Sequence, residues 1–433
     1  MSTPFQGLPT GWAILFGLAM VQILTMLVWT TVLFVRAQRV RRRAPESRPD
    51  AADDFRWVFV VPALNEEVTI RDSVQRLLAI ELRRRMIVVV DDGSQDRTPE
   101  LLRELAHPDL HVLRREPPHA RQGKAAPLNN AYRVLHGLIG DTDRDDAIIV
   151  IVDADGRLDP AAPRYAASHF ADPSVGGVQA LVRIYNRHRP LTWFQDIEFS
   201  VYGNLYQAGR NAWGTAGMGG NGQFNRLSAL DDIADHRGPW RDRLTEDQDL
   251  GLRLVAAGWR CHQELRAVVE QQGLPGLRPL LRQRTRWAQG NLQALGLTDA
   301  VRRAPVARVA RVDLVAHLLM PLWQAFIGCV LLVALGLAAT STVPFWHDGP
   351  WWELALFYVL GFGGMVLGCI AGRAASGARG WVAGILIAQV YAFYCWLLWP
   401  VLARAALRQL TERRGWAKTE REPLSDGRIR PAQ

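Results

Sequence analysis

Three short stretches place carboxylates directly after apolar, β-branched runs. They are "PALNEE" with Asn65 and Glu66, "VVDDGS" with Asp91 and Asp92, and "VDADG" with Asp153 and Asp155. Any one of them alone reads as a turn, and Ser94 or Asp96 is equally suited to cap a helix. Three in succession, on strands that point the same way, are harder to assign to turns, because ligands of open α/β sheets bind outside the carboxyl ends of the strands. Asp153 and Asp155 suggest a more specific chemistry. Two carboxylates one residue apart, where a strand opens, can both turn toward one hard cation. Mg²⁺ or Mn²⁺ held by one or two carboxylates completes its shell with water and substrate phosphate. The pair therefore predicts a nucleotide-diphosphate site rather than a lone metal site. An EF-hand loop is excluded, since Ile151 occupies the place of its first aspartate, and no Walker A lysine loop is present.

Three further stretches have the spacing of a site. In "RQRTRWAQG", Gln283, Arg286 and Trp287 stand at i, i+3 and i+4, so on a helix they share one face. Arg282 and Arg284 point elsewhere and are suited to a collar facing lipid headgroups. "TEDQDLGLRLVAAGW" reads as a helix start. Thr245 is its N-cap, and Glu246, Asp247 and Asp249 are favoured by the positive helix end. "GTAGMGGNGQFNRLSAL", Gly214 to Leu230, holds five glycines, which suits either a flexible surface loop or a backbone that approaches a ligand closely.

These residues need a scaffold, and residues 55–272 have the pattern of one. "WVFVVPA", "MIVVVDDGS" and "AIIVIVDADG" are continuous apolar runs suited to strands buried on both faces. Helical patterns separate them, "EEVTIRDSVQRLLAIE" and "TPELLRELA", the latter with Thr98 as N-cap and Pro99 at the first helical position. Alternating strands and helices predict an α/β fold with a parallel sheet. The 433 residues carry 51 Lys+Arg against 42 Asp+Glu, a net charge of +9. Its basic residues cluster beside apolar runs, which argues against nucleic acid and for a membrane surface. Four cysteines without a CxxC pair argue against a disulfide framework or a zinc site.

The apolar residues concentrate at the two ends. After a short segment, 1–10, residues 11–35 carry no charge, enough to cross a bilayer core that needs about 20. No basic region precedes this run and no small-residue cleavage site follows it, so it reads as a span rather than a signal peptide. The basic linker, 36–54, places the next domain on the cytoplasmic side. Residues 273–312 mix Leu, Trp and Arg at helical spacing, as interfacial helices do. Residues 313–404 hold three more candidate spans, Leu314 to Ala339, Trp351 to Ile370 and Trp381 to Leu402. Three spans would put the basic tail, 405–433, on the far side, against its charge. Either one run does not fully cross or the tail breaks the rule.

"VVPALNEE", "VVVDDGSQDRT", "GKAAPLNNA", "VDADG", "LTEDQDLGLRL" and "QRTRW" occur in the order found in membrane-bound family 2 glycosyltransferases. The chain resembles that family over roughly residues 55–300. The group includes cellulose, hyaluronan, chitin-oligosaccharide and poly-N-acetylglucosamine synthases. The resemblance implies a GT-A fold and inverting transfer from a UDP-sugar. It implies that Pro62, Ala63 and Glu66 line the nucleotide cleft, that Asp91 meets the uracil edge and that Lys124 lies near the nucleotide. Asp153 and Asp155 match the DxD pair that holds the metal on the diphosphate. Asp247 matches the general base, with Glu246 behind it and Asp249 structural. Gln283, Arg286 and Trp287 match QxxRW, whose Arg approaches the diphosphate while Trp and Gln help form the acceptor site. Asn221, Gly222 and Phe224 become candidates for acceptor contact.

The family pattern leaves two products open. QxxRW is typical of processive members that extend a β-linked glycan and pass it through the membrane. "GGNGQFNRLSAL" and "QRTRWAQGNLQ" also resemble lipid glucosyltransferases, which glycosylate a diacylglycerol or polyprenyl acceptor. A non-catalytic sensor would be expected to have lost the DxD pair or the base, and both are present. The expected partners are a UDP-sugar, a glycan or lipid acceptor and the bilayer. The expected location is a bacterial-type inner membrane, multi-pass, with the catalytic domain cytoplasmic.

Overall fold

The β-branched runs form a mixed eight-stranded sheet in the computed structural model, which describes residues 9–43, 48, 50–140, 143–340, 350–374 and 377–411. A long helix, α1 (Thr10–Arg42), leads into β1 (Arg56–Ala63), α2 (Ile70–Leu78), β2 (Arg85–Asp91), α3 (Thr98–Glu104) and β3 (Leu110–Arg114). Next come α4 (Ala125–Leu138), β4 (Ala147–Ile151), β5 (Arg157–Leu158), α5 (Ala162–Phe170) and β6 (Val175–Ile184). Helix α6 (Pro190–Val201) runs through a π-turn, Tyr202–Gln207, into α7 (Ala208–Arg210). Then follow β7 (Gln223–Arg226), α8 (Leu227–Ile233), α9 (Glu246–Ala256), β8 (Arg260–Gln271) and α10 (Leu277–Ala294). The chain continues through α11 (Thr298–Arg303), α12 (Arg308–Leu318), α13 (Met320–Ala339), α14 (Trp351–Gly372), α15 (Gly377–Leu397) and α16 (Pro400–Leu410).

The sheet order is β3-β2-β1-β4-β7-β6-β8-β5. The first four strands are parallel, as expected. The rest corrects the all-parallel expectation, because β7 runs antiparallel to both β4 and β6. That strand emerges from the glycine-rich stretch that read as a loop. Period-2 alternation splits the strands between two cores. Trp57, Phe59 and Val61 face one side with Phe170 and Phe224, while Val58, Val60, Val88 and Val90 face the other with Leu128, Leu250 and Leu254. Register aligns the strand ends that matter, with Ala63 beside Asp91 and Val60 beside Ile151.

Thr98 is the first residue of α3 rather than its cap. Its backbone N–H is received by Asp96 Oδ1 at 2.9 Å, and its hydroxyl accepts the Glu66 N–H at 2.8 Å. The β1 and β2 loops are thereby tied together, with Asn65 Oδ1 accepting the Gln95 N–H at 2.8 Å.

Four helical stretches are long and apolar enough to cross a membrane: Thr10–Arg42, Met320–Ala339, Trp351–Gly372 and Arg379–Leu410. The first extends further than expected, through residues assigned to the linker. The second begins later than Leu314, because α12 ends at Leu318 and Pro321 opens a new helix. The fourth is interrupted at Pro400, which cannot supply an N–H to a continuing helix.

The fourth stretch has contacts to the sheet-bearing unit or to α1 close to both of its ends. Just before it, the Ala371 carbonyl accepts from Arg41 at 2.9 Å and the Gly372 carbonyl from Ser200 at 3.4 Å. At its end α16 packs on α10, and Arg408 Nε donates to Gln289 Oε1 at 3.2 Å. The two alternatives for the basic tail place the residues after α16 on opposite faces of the membrane. Most of that tail, with residues 1–8 and part of the linker, lies outside the described residues. A cysteine placed at Thr411, in a background without reactive native thiols, should react with an impermeant maleimide from the same side as one at Arg144. Labelling from opposite faces would mean that the run crosses.

Candidate active site

The strand ends and the helices opposite them enclose a cavity of about 490 Å³. Pro62, Ala63 and Glu66 line it from β1, and Asp153 and Asp155 from the end of β4. Asp153 is held by its backbone, whose N–H is accepted by Asn221 Oδ1 at 3.1 Å. Asp155 is buried and accepts the Gln272 N–H at 3.0 Å.

Lys124 precedes α4 and reaches across the cavity. Its Nζ lies 2.5 Å from Asp153 Oδ1, 2.9 Å from the Gly220 carbonyl and 3.8 Å from Glu246 Oε1. Burial opposes its charge, but Asp153 and Glu246 outweigh burial and hold its pKa above the usual lysine value. The backbone must come close here. A Cβ on Gly220 would stand 2.8 Å from Lys124 Nζ and 3.0 Å from Asp247 Oδ2.

Glu246 and Asp247 open α9, where the helix N-terminus favours negative charge. Thr245 is at the cap position but makes no capping hydrogen bond, and its hydroxyl donates to Gln248 Oε1 at 3.3 Å. Asp249 is buried on Arg253 at 2.7 Å, a structural pair. Burial and then repulsion from Asp247 push Glu246 up to about 7, with Lys124 opposing. Asp247 is also raised, by burial first, with Lys124 opposing and Asp153 adding repulsion.

The QxxRW helix closes the cavity. Gln283, Arg286 and Trp287 all line it, as does Asn291, four residues beyond Trp287 on the same face. Helix α10 can approach α9 because Gly290 lies against Thr245, where a Cβ would come within 2.5 Å of its hydroxyl. Arg284 corrects the expected collar. It is 6% exposed, donates to Glu198 Oε2 at 2.7 Å and to Gln283 Oε1 at 2.6 Å, and lies 4.0 Å over the Trp287 ring. Tyr394 of α15 donates to the same Glu198 oxygen at 2.7 Å. Arg282 is exposed, as a collar residue should be.

Three other expected positions stand elsewhere. Asp91 is buried outside the cavity lining, taking the Ser94 N–H at 2.8 Å and Arg114 at 2.6 Å. Asp92 lines the cavity in its place, braced by Arg115 and by the Arg121 N–H. Phe224 is fully buried edge-on to Trp57, because β7 alternation turns it into the core. Gly222 is also absent from the lining and packs on Val269 and Ala180. Of the acceptor candidates in this stretch only Asn221 reaches the cavity.

The lining also includes Tyr202, Arg210, Leu314 and His317, which no motif marked. They come from the π-turn, α7 and α12, which meet only in the fold. Asn291 was within reach of helical spacing.

The donor set fits a hard divalent ion. Asp153 and Asp155 both line the cavity, and Asp153 Oδ2 has no protein partner among the described residues. Among the described residues no third Asp, Glu, His or Cys completes a cage. The protein would therefore supply one or two ligands, as Mg²⁺ and Mn²⁺ sites on nucleotides do.

Comparison with known proteins identifies the class. The glycosyltransferase-like family 2 model matches residues 56–290, more than half of the chain, and the chain belongs to that family. Among curated relatives, the β-monoglucosyldiacylglycerol synthase of Synechocystis sp. is 32% identical over 310 residues, 68% of this chain and 62% of that protein. The poly-β-1,6-N-acetyl-D-glucosamine synthase of Staphylococcus aureus is 29% identical over 259 residues, 59% of each chain. The chain spans 53% to 62% of the length of the first three curated relatives. A mannosyltransferase from Pyrobaculum calidifontis, solved with GDP-mannose and Mn²⁺, superposes with a TM-score of 0.61. That match has 22% identity and covers 92% of this chain and 99% of that one, a likeness of fold.

Two outcomes follow from this geometry. Arg286→Ala should abolish turnover with little change in Tm. Arg284→Ala should impair turnover and also lower stability by about 3 kcal/mol, as expected when an ion pair loses one partner. Thermal melts beside initial rates check this, and an unchanged Tm for Arg284→Ala would mean that the brace is idle. Secondly, a carboxylate accepts a proton only when ionised, and burial makes this pair take up its own proton at higher pH. The acidic limb of kcat/KM should lie above the ordinary aspartate value of about 4. Lys124→Met should move it further up in a pH–rate profile.

Proposed function

We propose that the protein transfers a hexose, with inversion, from a UDP-sugar to a hydroxyl group of a membrane lipid on the cytoplasmic face. The observation that carries this reading is the continuity of one cavity. It runs from the carboxylates at the strand ends to Leu314 and His317 in α12, directly before a candidate span. A hydroxyl presented from the bilayer therefore has a path to Asp247. The diacylglycerol-glucosylating relatives support the same reading.

In this mechanism Pro62, Ala63, Glu66 and Asp92 receive the nucleoside. Asp153 and Asp155 would hold a divalent cation, which when bound supplies positive charge to the diphosphate. Lys124 and Arg286 add cations from the protein, and a guanidinium suits phosphate oxygens. Trp287 offers a flat apolar face to a sugar ring. Asp247 takes the proton of the acceptor hydroxyl as its oxygen bonds to the anomeric carbon. The bond from that carbon to the diphosphate oxygen breaks, and UDP leaves with the electron pair. General base help of this kind is worth about 10²- to 10⁴-fold. Glu246 sets the charge around Asp247.

A second reading, extension of a β-linked glycan, is favoured by QxxRW and by the poly-N-acetylglucosamine synthase relative. Purified protein with radiolabelled UDP-sugars, with and without lipid, separates the two. One lipid-extractable product is expected, and a size ladder would establish the polymer instead. Asp247→Asn should abolish that product and leave UDP binding close to wild type, and EDTA should stop the reaction. Normal turnover by Asp247→Asn would remove it as the base.

A further inference from the structure

The cavity has an end that the donor chemistry does not use. Tyr202, Arg210, Leu314 and His317 line it. Tyr202 is the first residue of the π-turn and is 44% exposed, although Gly203, Asn204 and Leu205 beside it are buried. π-turns recur at functional sites, where they re-aim a side chain. Tyr202 lines the same cavity as Arg210 and Asp247, and its hydroxyl is also a hydrogen-bond partner of Gln207.

Arg210 is 4% exposed. Its Nε donates to Asp313 Oδ2 at 2.6 Å and its Nη2 to Asp313 Oδ1 at 3.3 Å. Asp313 Oδ1 also accepts Trp29 Nε1 of α1 at 2.7 Å. That leaves Arg210 Nη1 without a partner among the described residues. Arg210 lines the cavity, so a bound group or water there can accept this N–H.

The charge here identifies what that acceptor can be. Arg210 and Asp313 cancel, and burial followed by the adjacent Arg210 pushes His317 down to about 3, so it is neutral. The other cations lining the cavity, Lys124 and Arg286, belong to the donor side. A phosphate at this end would find no uncompensated cation and would face the Asp247 carboxylate. Like charges in a partly buried site repel more strongly than in water. An uncharged oxygen, such as an ester carbonyl, accepts from Nη1 and from the Tyr202 hydroxyl without that repulsion, and Leu314 adds an apolar wall.

We infer that Arg210 Nη1 and Tyr202 form a subsite for the ester-bearing backbone of an uncharged glycerolipid, selecting it over lipid phosphates. This deepens the lipid-acceptor reading above and rests on it. The full chain in mixed micelles, supplied with whichever radiolabelled UDP-sugar it turns over, tests it with diacylglycerol and polyprenyl phosphate as acceptors in parallel. Diacylglycerol should be the better substrate. Arg210→Lys keeps a cation for Asp313 but removes the spare nitrogen, and Tyr202→Phe removes only a hydroxyl. Each should raise KM for diacylglycerol about tenfold with KM for the UDP-sugar unchanged, and Tyr202→Phe should do so with Tm unchanged. Unchanged acceptor KM in both variants, or an equal fall of every parameter with Tm, would overturn the subsite. Preference for polyprenyl phosphate would overturn it while leaving the lipid reading intact. No lipid product from either acceptor would overturn both.

Discussion

Asp153, Asp155, Glu246 and Asp247 line one cavity together with Glu66, Asp92 and Glu198, and Lys124 stands among the first four. This excess of negative charge is the constraint on which the rest of the site depends. It requires buried scaffolding on every side, because carboxylates brought close together separate unless fixed. The end of β4 fixes one pair and the start of α9 the other. Lys124 bridges the two pairs, and Gly220 yields room for the bridge. The same excess makes the cleft receptive to a cation and, through that cation, to a diphosphate that the carboxylates alone would repel. Burial first, and then repulsion from Asp247, pushes Glu246 up to about 7.

The opposite wall is built from elements shared with the membrane helices. Glu198 of α6 receives both Arg284 of α10 and Tyr394 of α15. Arg284 in turn lies over Trp287 and orients Gln283. The motif residues Gln283 and Trp287 therefore owe their placement to an arginine within the same nine-residue stretch and to a tyrosine over a hundred residues later. Asp313 plays a comparable part at the other end, joining α12 to Arg210 and to Trp29 of α1.

The parallel half of the sheet and the carboxylates at its strand ends were legible because strand burial writes continuous apolar runs, and turns write Asp and Gly. Helical spacing made the Gln283, Arg286 and Trp287 face legible for the same kind of reason, and Asn291 extends it by one more turn. The failures have physical causes as well. Strand β7 is four residues long within a glycine-rich stretch, so its alternation was hidden and Phe224 read as a candidate acceptor contact. Asp91 and Asp92 are adjacent, and only the pleat decides which of them faces the cleft. Arg284 looked like a surface charge because its partners, Glu198 and Tyr394, are distant in sequence. Tyr202, Arg210 and His317 come from three separate elements, and no local pattern joins them.

The apolar clusters along the membrane side have one more consequence. Leu274 and Leu280 are buried with Cys369, Ala388 and Tyr394, and Leu205 is buried with Leu33 and Ala371. The stretch recognised as a family, residues 56–290, is thus a unit of descent but not a unit of folding. Cut out at those limits, it would turn two covered apolar faces toward water. The flanking helices are as much interior as anchor, and these apolar faces are covered only where those helices are present.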